Sequence, residues 1–310
     1  MLRALAVSLA LLAAPVSAQL YTPDEMRHTF QAATPDIQRV FTQDILGNLP
    51  RELRPRAAQV RLEFPEQGRS PLDFFAHPGR RVIYFPLESI RFFDDVATLF
   101  AWVESQNCNP EAIQAYLWAK LREGRPLPSP LRAFNINRDT AFADEFTYNV
   151  SGKIVSSGLQ FILAHELGHI LLNHQGSMTG AESQRQEIAA DAFALDHFER
   201  LGGLPMGVFW YYMAAWWLDP LDDAGRDASS HPVSPARIAT LAARLTGDPM
   251  AFSHGELDPH REAELAAQIG AMVAELATLI DDDGMLNLMP LLLDRDWPAE
   301  RIAQACPTAN

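Results

Sequence analysis

The chain has 310 residues, of which 48% are hydrophobic and 21% are charged, an ordinary globular composition that is large enough for one sizeable core or two small ones. The formal net charge is −14, and lysine occurs only at positions 120 and 153, so the other basic residues are all arginines. An acidic chain without a basic stripe argues against nucleic acid as the partner and against electrostatic docking on anionic lipid.

The N-terminus has the pattern of a targeting segment. Arg3 supplies a short positive region, residues 4–14 are an apolar stretch too short to span a bilayer, and residues 16–18 (V-S-A) offer a small-x-small cleavage site. We therefore expect residues 1–18 to be a signal peptide and the mature chain to begin at Gln19, with an uncleaved anchor as the alternative. No later stretch reaches the roughly 18 apolar residues of a transmembrane helix, so we expect an exported protein, periplasmic or secreted, without a membrane span.

Helix starts are marked clearly along the chain. Residues 22–25 (T-P-D-E) combine an N-cap, a proline at the first helical position and a capping-box glutamate, and residues 34–36 (T-P-D) repeat the start. Helices are predicted from residue 22, at 34–47, 92–105, 109–124, 157–173, 187–201, 234–245 and 258–281, and after residue 298.

The aromatic-rich segment 205–218 is either core packing or an apolar wall that faces a substrate.

Strands are fewer than helices in this sequence. Alternation of apolar and polar residues, or short apolar runs that end at a proline, predict strands at 57–64, 79–86 and 145–150. Polar or proline-rich segments at 125–130, 175–186 and 219–230 are predicted to be loops. The fold class that follows is α+β, predominantly helical, with a small sheet.

The chain contains two cysteines, Cys108 and Cys306. In an exported chain an even number of cysteines permits a disulfide, which would tie the C-terminal tail to the middle of the chain. Two cysteines in so long a chain leave the pairing open, and neither has metal-ligand spacing.

One apolar stretch, residues 161–174 (F-I-L-A-H-E-L-G-H-I-L-L-N-H), carries the strongest chemical signal. Its H-E-x-x-H motif places His165 and His169 one helical turn apart on the same face, where two imidazoles can bind one zinc ion. Glu166 can then reach a water on that ion. Ionisable groups on a mostly buried helix are costly unless something pairs them, as a metal would. The alternative is a chance match of a short pattern on a surface helix.

A third ligand is expected from the next helix. Residues 186–195 (Q-E-I-A-A-D-A-F-A-L) place Glu187 and Asp191 four apart, on one helical face, and an antiparallel helix would bring that face against His165 and His169. Glu187 would complete a site of two histidines and one glutamate, and Asp191 would accept the outer N–H of a ligand imidazole. The alternative, a solvated acidic face, is disfavoured by the apolar neighbours of both residues.

Three elements in order resemble the gluzincin metallopeptidases of the M48 (Ste24/HtpX-like) type: H-E-L-G-H, then E-I-A-A-D, then S-H-P-V-S-P-A-R-I at 230–238. Residues 79–86 (G-R-R-V-I-Y-F-P) also resemble the strand that precedes the metal helix in that family, so the resemblance covers about residues 79–245. It implies a zincin-like fold with a small sheet beside the metal-binding helix, one zinc ion per chain and endopeptidase activity. It also implies that Glu187 is a ligand and that His231 helps the reaction.

The expected organisation is that of a soluble, exported member of this type. We expect one zincin-like domain over residues 19–310. Within it, residues 19–130 form an N-terminal part of helices and strands, residues 131–250 the catalytic core, and residues 251–310 the C-terminal helices.

The residues of these motifs predict a hydrolytic mechanism. Zinc lowers the pKa of its water to roughly 7 and polarises the scissile carbonyl, while Glu166 takes the proton from the water and passes it to the leaving amine. His231 is the candidate for stabilising the oxyanion, with Arg237 as a helper. Alternatively, His231 could be a loop histidine, or a resting-state zinc ligand that silences the site. His174 should lie about 140° around the helix from His169, pointing away from the metal as a structural residue.

Three functions from different classes compete. The first is an exported zinc endopeptidase that acts on unfolded or misassembled envelope proteins. The second is a catalytically quiet, zinc-bound protein that binds or chaperones partners, against which the intact Glu166 counts. The third is a metallopeptidase-like regulator of the ImmA/IrrE kind, which the export signal and the two later motifs disfavour.

Overall fold

A computed structural model of the protein describes residues 19–175, 178–219, 231–253 and 258–306. The predicted signal peptide at 1–18 and nearly all of the predicted loop at 219–230 lie outside the described residues. The fold is 71% helical with one three-stranded mixed sheet, which confirms the predicted α+β, predominantly helical class.

Helices account for most of the described chain. The α-helices are α1 Pro23–Arg39, α2 Arg54–Ala57, α3 Leu87–Ser105, α4 Glu111–Leu117, α5 Pro130–Ala133, α6 Arg138–Ala143, α7 Glu145–Leu171, α8 Gly180–Leu201, α9 Gly207–Ala215, α10 Pro235–Gly247, α11 Pro259–Asp281, α12 Asp283–Asp296 and α13 Ala299–Ile302. Turns of π-helix follow α1 and α4 at Val40–Ile45 and Trp118–Arg122, and short 3₁₀ turns occur at Leu46–Asn48, Pro78–Arg80, Trp216–Leu218 and Pro249–Phe252.

The sheet is small and lies against the middle of the fold. Its strands are β1 Arg61–Glu63, β2 Phe75–His77 and β3 Val82–Tyr84, in the order β1-β3-β2. β1 pairs parallel with β3 and β2 antiparallel with it, with Ala76 opposite Ile83. β2 is therefore an edge strand, and it packs against α7. The predicted strands at 57–64 and 79–86 contain β1 and β3, whereas β2 was not predicted.

The core is built around α3 and α7, which pack against each other. α3 is buried on nearly all sides, and its Phe92 and Phe93 are 0% exposed. The C-terminal half of α7 is equally apolar and buried. Cys108 and Cys306 form a disulfide with a Cα–Cα distance of 5.5 Å, which ties the chain after α13 to the start of α4.

Within the described residues, two helices, α7 and α11, are long and apolar enough to cross a membrane by length and composition alone, which the sequence prediction did not anticipate. The 18-residue apolar window is 78% buried inside the protein in α7 and 44% buried in α11. A core helix passes the same test, so one or two such helices are weak evidence for a membrane span.

The predicted strand at 145–150 is wrong, because these residues form the first turns of α7. Its β-branched and aromatic residues favour a strand only where they can pack on a sheet. Here the side chain of Asp144 accepts the backbone N–H of Thr147 at 2.7 Å and caps a helix instead. Thr147 and Ser151, four residues apart, then form the buried face of its first turns.

Two other element predictions need correction, and one long helix was not predicted. The two helices predicted from residues 22 and 34 are one helix with Pro35 inside it, since Met26, Thr29, Thr34 and Ile37 continue one buried face through the proline. The loop predicted at 175–186 ends early, because α8 begins at Gly180. The sequence prediction also missed α12, a mostly exposed helix capped by Asp282.

Candidate metal centre

The H-E-x-x-H motif lies near the C-terminal end of α7, on the side that faces α8. His165 and His169 are each 6% exposed. Between them, Gly168 lets α8 approach closely, because a Cβ at this position would lie 3.3 Å from the Cα of Ala190. The motif therefore brings two imidazoles and the neighbouring helix to one buried point.

α8 crosses this point antiparallel to α7, as predicted. His165 Nδ1 lies 2.8 Å from Asp191 Oδ1, and His169 Nε2 lies 3.3 Å from Glu187 Oε1, so the earlier histidine pairs with the later carboxylate. The structure thus brings Glu187 and Asp191 next to the two histidines, as the four-residue spacing on each helix predicted.

Four side chains form a donor cluster: His165, His169, Glu187 and His231, whose ligand atoms all lie within 4.8 Å of one another. His165 Nε2 is 3.0 Å from His169 Nε2 and 3.4 Å from Glu187 Oε2, and His231 Nδ1 is 2.9 Å from Glu187 Oε1. Ligand atoms about 2.0–2.1 Å from a tetrahedrally coordinated zinc ion lie about 3.4 Å apart. The spacing of the cluster therefore fits such an ion.

The polar atoms of the cluster also fit a cation. Glu187 is 1% exposed, and its Oε2 makes no hydrogen bond within the described part of the chain, although Arg237 Nη1 lies 2.9 Å away. Burial would raise the pKa of Glu187, but the charges of Arg237 and His231 hold it well below its usual range. Burial lowers the pKa of His169 to about 4, partly opposed by Glu187. Burial would lower the pKa of His165, but hydrogen bonds to Asp191 and Glu187 raise it to about 10. An ionised carboxylate and a neutral imidazole are the forms that bind a metal ion, so His165 would release a proton on binding one.

Asp191 fixes the orientation of His165 and is itself fixed by three hydrogen bonds from two residues. Its carboxylate accepts hydrogen bonds from Arg237 Nε at 2.6 Å, from Arg237 Nη2 at 2.9 Å and from the Tyr212 hydroxyl at 2.6 Å. Asp191 and Arg237 are 2% and 4% exposed. His165 Nδ1 then carries the proton toward Asp191, which leaves Nε2 directed at the donor cluster. Tyr212 was not singled out in the sequence, because an aromatic in an apolar segment gives no local sign of a polar partner.

Arg237 reaches this network from the first turn of α10. Ser234 caps that helix by accepting the Arg237 N–H at 3.3 Å, as the S-P pattern predicted. Arg237 Nη1 also donates to the carbonyl of Pro232 at 3.2 Å, which holds the loop that carries His231. Arg237 therefore positions His231 and Asp191 together, and its guanidinium is occupied by protein groups.

Glu166 is buried beside the cluster, 2% exposed. Its Oε2 has no hydrogen-bond partner among the residues described, and its carboxyl group interacts with the backbone N–H of Ala76 on β2. Burial raises the pKa of Glu166 to about 7, against the charges of His165 and His231, which lower it. A carboxyl group with a pKa near neutrality can both accept and return a proton.

Two cavities, together called the cleft, open beside the cluster, and both are lined by Glu187 and His231. The larger part, of about 390 Å³, lies between β2 and the turn after α7, and it reaches His169, Glu187 and His231. The smaller part, of about 220 Å³, reaches Glu166 from the side of α9. The aromatic segment predicted as either core or substrate-facing wall is mostly core, but Tyr211, Ala215 and Leu218 line this smaller part.

His174, predicted to point away from the metal as a structural residue, lies outside the donor cluster, but its ring lies against that of His169. Its Nδ1 lies 2.9 Å from Nδ1 of His169, and its ring also lines the larger part of the cleft. The rotation of 100° per residue applies only inside a helix, and α7 ends at Leu171. Asn173 follows with φ 59°, a left-handed conformation that turns the chain back.

Comparison with known proteins shows that part of the chain is similar to a peptidase family. Residues 111–256 match the family model of peptidase U49, a segment that contains the whole donor cluster as well as Glu166, Asp191 and Arg237. No curated protein and no solved structure matches the chain. The match is to U49, and the resemblance to the M48 type stays a prediction. Over the segment that carries its candidate metal centre, the chain is thus similar to a family of peptidases.

Proposed function

We propose that the protein is an exported zinc endopeptidase of the gluzincin type. The observation that carries the proposal is a cluster of four donor side chains, three of them buried, beside a buried oxygen of Glu166 that has no hydrogen-bond partner within the described residues, with open cleft space reaching both. The similarity of residues 111–256 to peptidase U49 supports peptide-bond hydrolysis as the reaction. The disulfide and the N-terminal targeting pattern support export, because disulfides persist in oxidising compartments.

His165, His169 and Glu187 would hold the ion, which when bound would polarise a carbonyl and lower the pKa of a water. Glu166 takes the proton from the attacking water on its unpaired oxygen and returns it to the leaving amine. His231 is 2.9 Å from Glu187 and, with 39% of its side chain exposed, can donate to the carbonyl oxygen of a substrate. Asp191 and Arg237 act by holding His165 and the His231 loop.

An extended peptide is the substrate shape that fits this cleft. β2 is an edge strand along the larger part of the cleft, and residues Phe75, Ala76 and His77 line it next to the cluster. An edge strand can pair with an added strand through its backbone groups; here the N–H of Ala76 already interacts with Glu166, so the other edge groups of β2 would pair with a substrate. Unfolded or misassembled proteins of the cell envelope expose such extended segments, and we propose them as the substrate class.

Metal analysis combined with digestion of an unfolded protein tests the proposal. Purified protein should contain about one zinc ion per chain and digest casein, and a chelator should abolish digestion until zinc is added back. The Glu166→Gln variant should keep zinc and fold but lose digestion, because only the proton-accepting group is changed. The Glu187→Ala variant should lose most of its zinc.

Two results would count against the proposal. Equal digestion by the Glu166→Gln variant and the wild type would rule out this mechanism. A wild-type protein that binds zinc but cleaves no unfolded protein would favour the alternatives, a zinc-bound partner-binding or chaperone-like protein or an ImmA/IrrE-like regulator.

A further inference from the structure

His174 lies just beyond the metal-binding helix, yet its ring lies against that of His169. The backbone N–H of His174 donates to the carbonyl of His169 at 2.9 Å, across the left-handed turn at Asn173. The two rings meet nearly edge to face, with centroids 4.9 Å apart and an interplanar angle of 77°. Their Nδ1 atoms are 2.9 Å apart, which is hydrogen-bonding distance.

The turn that carries His174 is held from two other elements. Arg56 on α2 donates through Nη2 to the side-chain oxygen of Asn173 at 2.7 Å, and the same nitrogen lies 3.4 Å from the carbonyl of Ile170. The backbone N–H of Gln175 donates to Gln186 Oε1 on α8 at 3.1 Å. These contacts keep the His174 ring in one place relative to both ligand helices.

The orientation of His169 defines what His174 can do. His169 Nε2 faces the donor cluster, 3.0 Å from His165 Nε2 and 3.3 Å from Glu187 Oε1. A neutral imidazole that offers Nε2 as an acceptor carries its proton on Nδ1. That N–H of His169 requires an acceptor, and Nδ1 of His174 is placed to be one.

We propose that His174 is a positioning residue: it accepts the Nδ1–H of His169 and so fixes the tautomer and the ring plane of that metal ligand. His165 has the equivalent partner in the carboxylate of Asp191. The two ligand histidines are thus oriented differently, one by a charged group and the other by a neutral imidazole that adds no further negative charge beside Glu187 and Asp191. The inference rests on the proposed metal site.

The test compares the zinc affinity of His174 variants by competition with a chromogenic chelator. Loss of an outer partner of a ligand histidine typically weakens metal binding about 10–100-fold, and we expect this for His174→Ala. His174→Gln supplies an amide oxygen as a replacement acceptor and should recover most of the affinity. The exposed His28 on α1 provides a control, since His28→Ala also removes a histidine but should leave zinc affinity unchanged.

Two further measurements separate positioning from other roles. Circular dichroism and thermal unfolding of the metal-free variants show whether any loss of affinity is a loss of fold. The visible spectrum of the cobalt-substituted protein reports the number and type of ligands, and His174→Gln should keep the wild-type band intensities.

Unchanged zinc affinity in a folded His174→Ala variant would overturn the inference while leaving the metal site intact. A His174→Gln variant as impaired as His174→Ala, with an altered cobalt spectrum, would overturn it in favour of direct ligation by His174. If the wild-type protein itself binds no zinc, the proposed function fails first, so the two failures are distinguishable.

Discussion

His231 is the most exposed member of the donor cluster, with 39% of its side chain accessible against 8% or less for the other three. We expect His231→Ala to keep zinc and to lower kcat about 10²–10³-fold, the usual cost of losing a donor to the oxyanion. Zinc content and peptide turnover, measured on the same preparation, check this. Higher turnover than the wild type would instead identify His231 as a resting-state ligand that silences the site.

His197 on α8 is a buried histidine outside the donor cluster, 0% exposed, and its Nε2 contacts Gln160 on α7 at 3.1 Å. Burial, with a smaller contribution from the charge of Arg200, lowers the pKa of His197 to about 4 from 6.5. Below pH 6.5 the unfolded chain binds a proton that the folded chain excludes until about pH 4. The free energy of unfolding should therefore fall as the pH is lowered from 6.5 to 4, by up to about 3 kcal/mol.

Urea unfolding of the metal-free protein between pH 7 and pH 4 measures this decline. His197→Gln keeps an acceptor for Gln160 but cannot take up a proton, so its stability should depend less steeply on pH than that of the wild type. The other titrating groups are common to both proteins and cancel in the difference. Identical slopes for the two proteins would contradict the assignment.

At the scale of elements, the crossing of α7 and α9 depends on a glycine. A Cβ at Gly207 would lie 2.5 Å from the Cα of Gly158 on α7. Because this Cα is a backbone atom, it cannot move away by a change of side-chain rotamer. The Gly207 N–H also donates to Ser157 Oγ at 2.8 Å. We expect Gly207→Ala to destabilise the protein by at least about 1–3 kcal/mol, the cost of overpacking.

Gly152, also on α7, is the matched control. It is exposed, and no atom lies within 4 Å of the position its Cβ would take. Gly152→Ala should stabilise the protein by about 0.5–1 kcal/mol, because alanine loses less backbone entropy in a helix. Thermal unfolding of both variants tests the pair, and a Gly207→Ala variant as stable as the wild type would show that the two helices can separate at no cost.

At the scale of the whole molecule, the Cys108–Cys306 disulfide joins residues 198 apart in sequence. Removing a cross-link over so long a segment releases entropy in the unfolded chain, so the double variant Cys108→Ser/Cys306→Ser should lose about 2–5 kcal/mol of stability. Thermal unfolding with and without a reductant measures it. The reductant should lower the Tm of the wild type only, and an equal Tm under both conditions would mean that the tail is held by packing alone.

The arrangement of the metal centre could be predicted in part from the sequence because its spacings are local. Residues four apart share a helical face whatever surrounds the helix, so the pairs His165–His169 and Glu187–Asp191 could be matched before the fold was known. The start of α10 was predictable for the same reason, since Ser234 caps it with a bond only three residues long.

Contacts between distant segments could not be predicted in this way. The hydrogen bond from the Tyr212 hydroxyl to Asp191 joins residues 21 apart in the chain, and no local spacing signals it. His174 shows a different, local limit, because the prediction extended helical rotation past Leu171, where α7 ends.

The sequence by itself determined the predominantly helical class, the two ligand-bearing helices and the identity of their candidate ligands, because periodicity and capping act within a few residues. Only the tertiary structure decided that Arg237 binds Asp191, that the ring of His174 contacts that of His169, and that an edge strand borders the cleft. Arg237 and Asp191 are 46 residues apart, and His174 meets His169 because the chain turns back where α7 ends. Burial stabilises a charged or polar group only where a specific partner meets it.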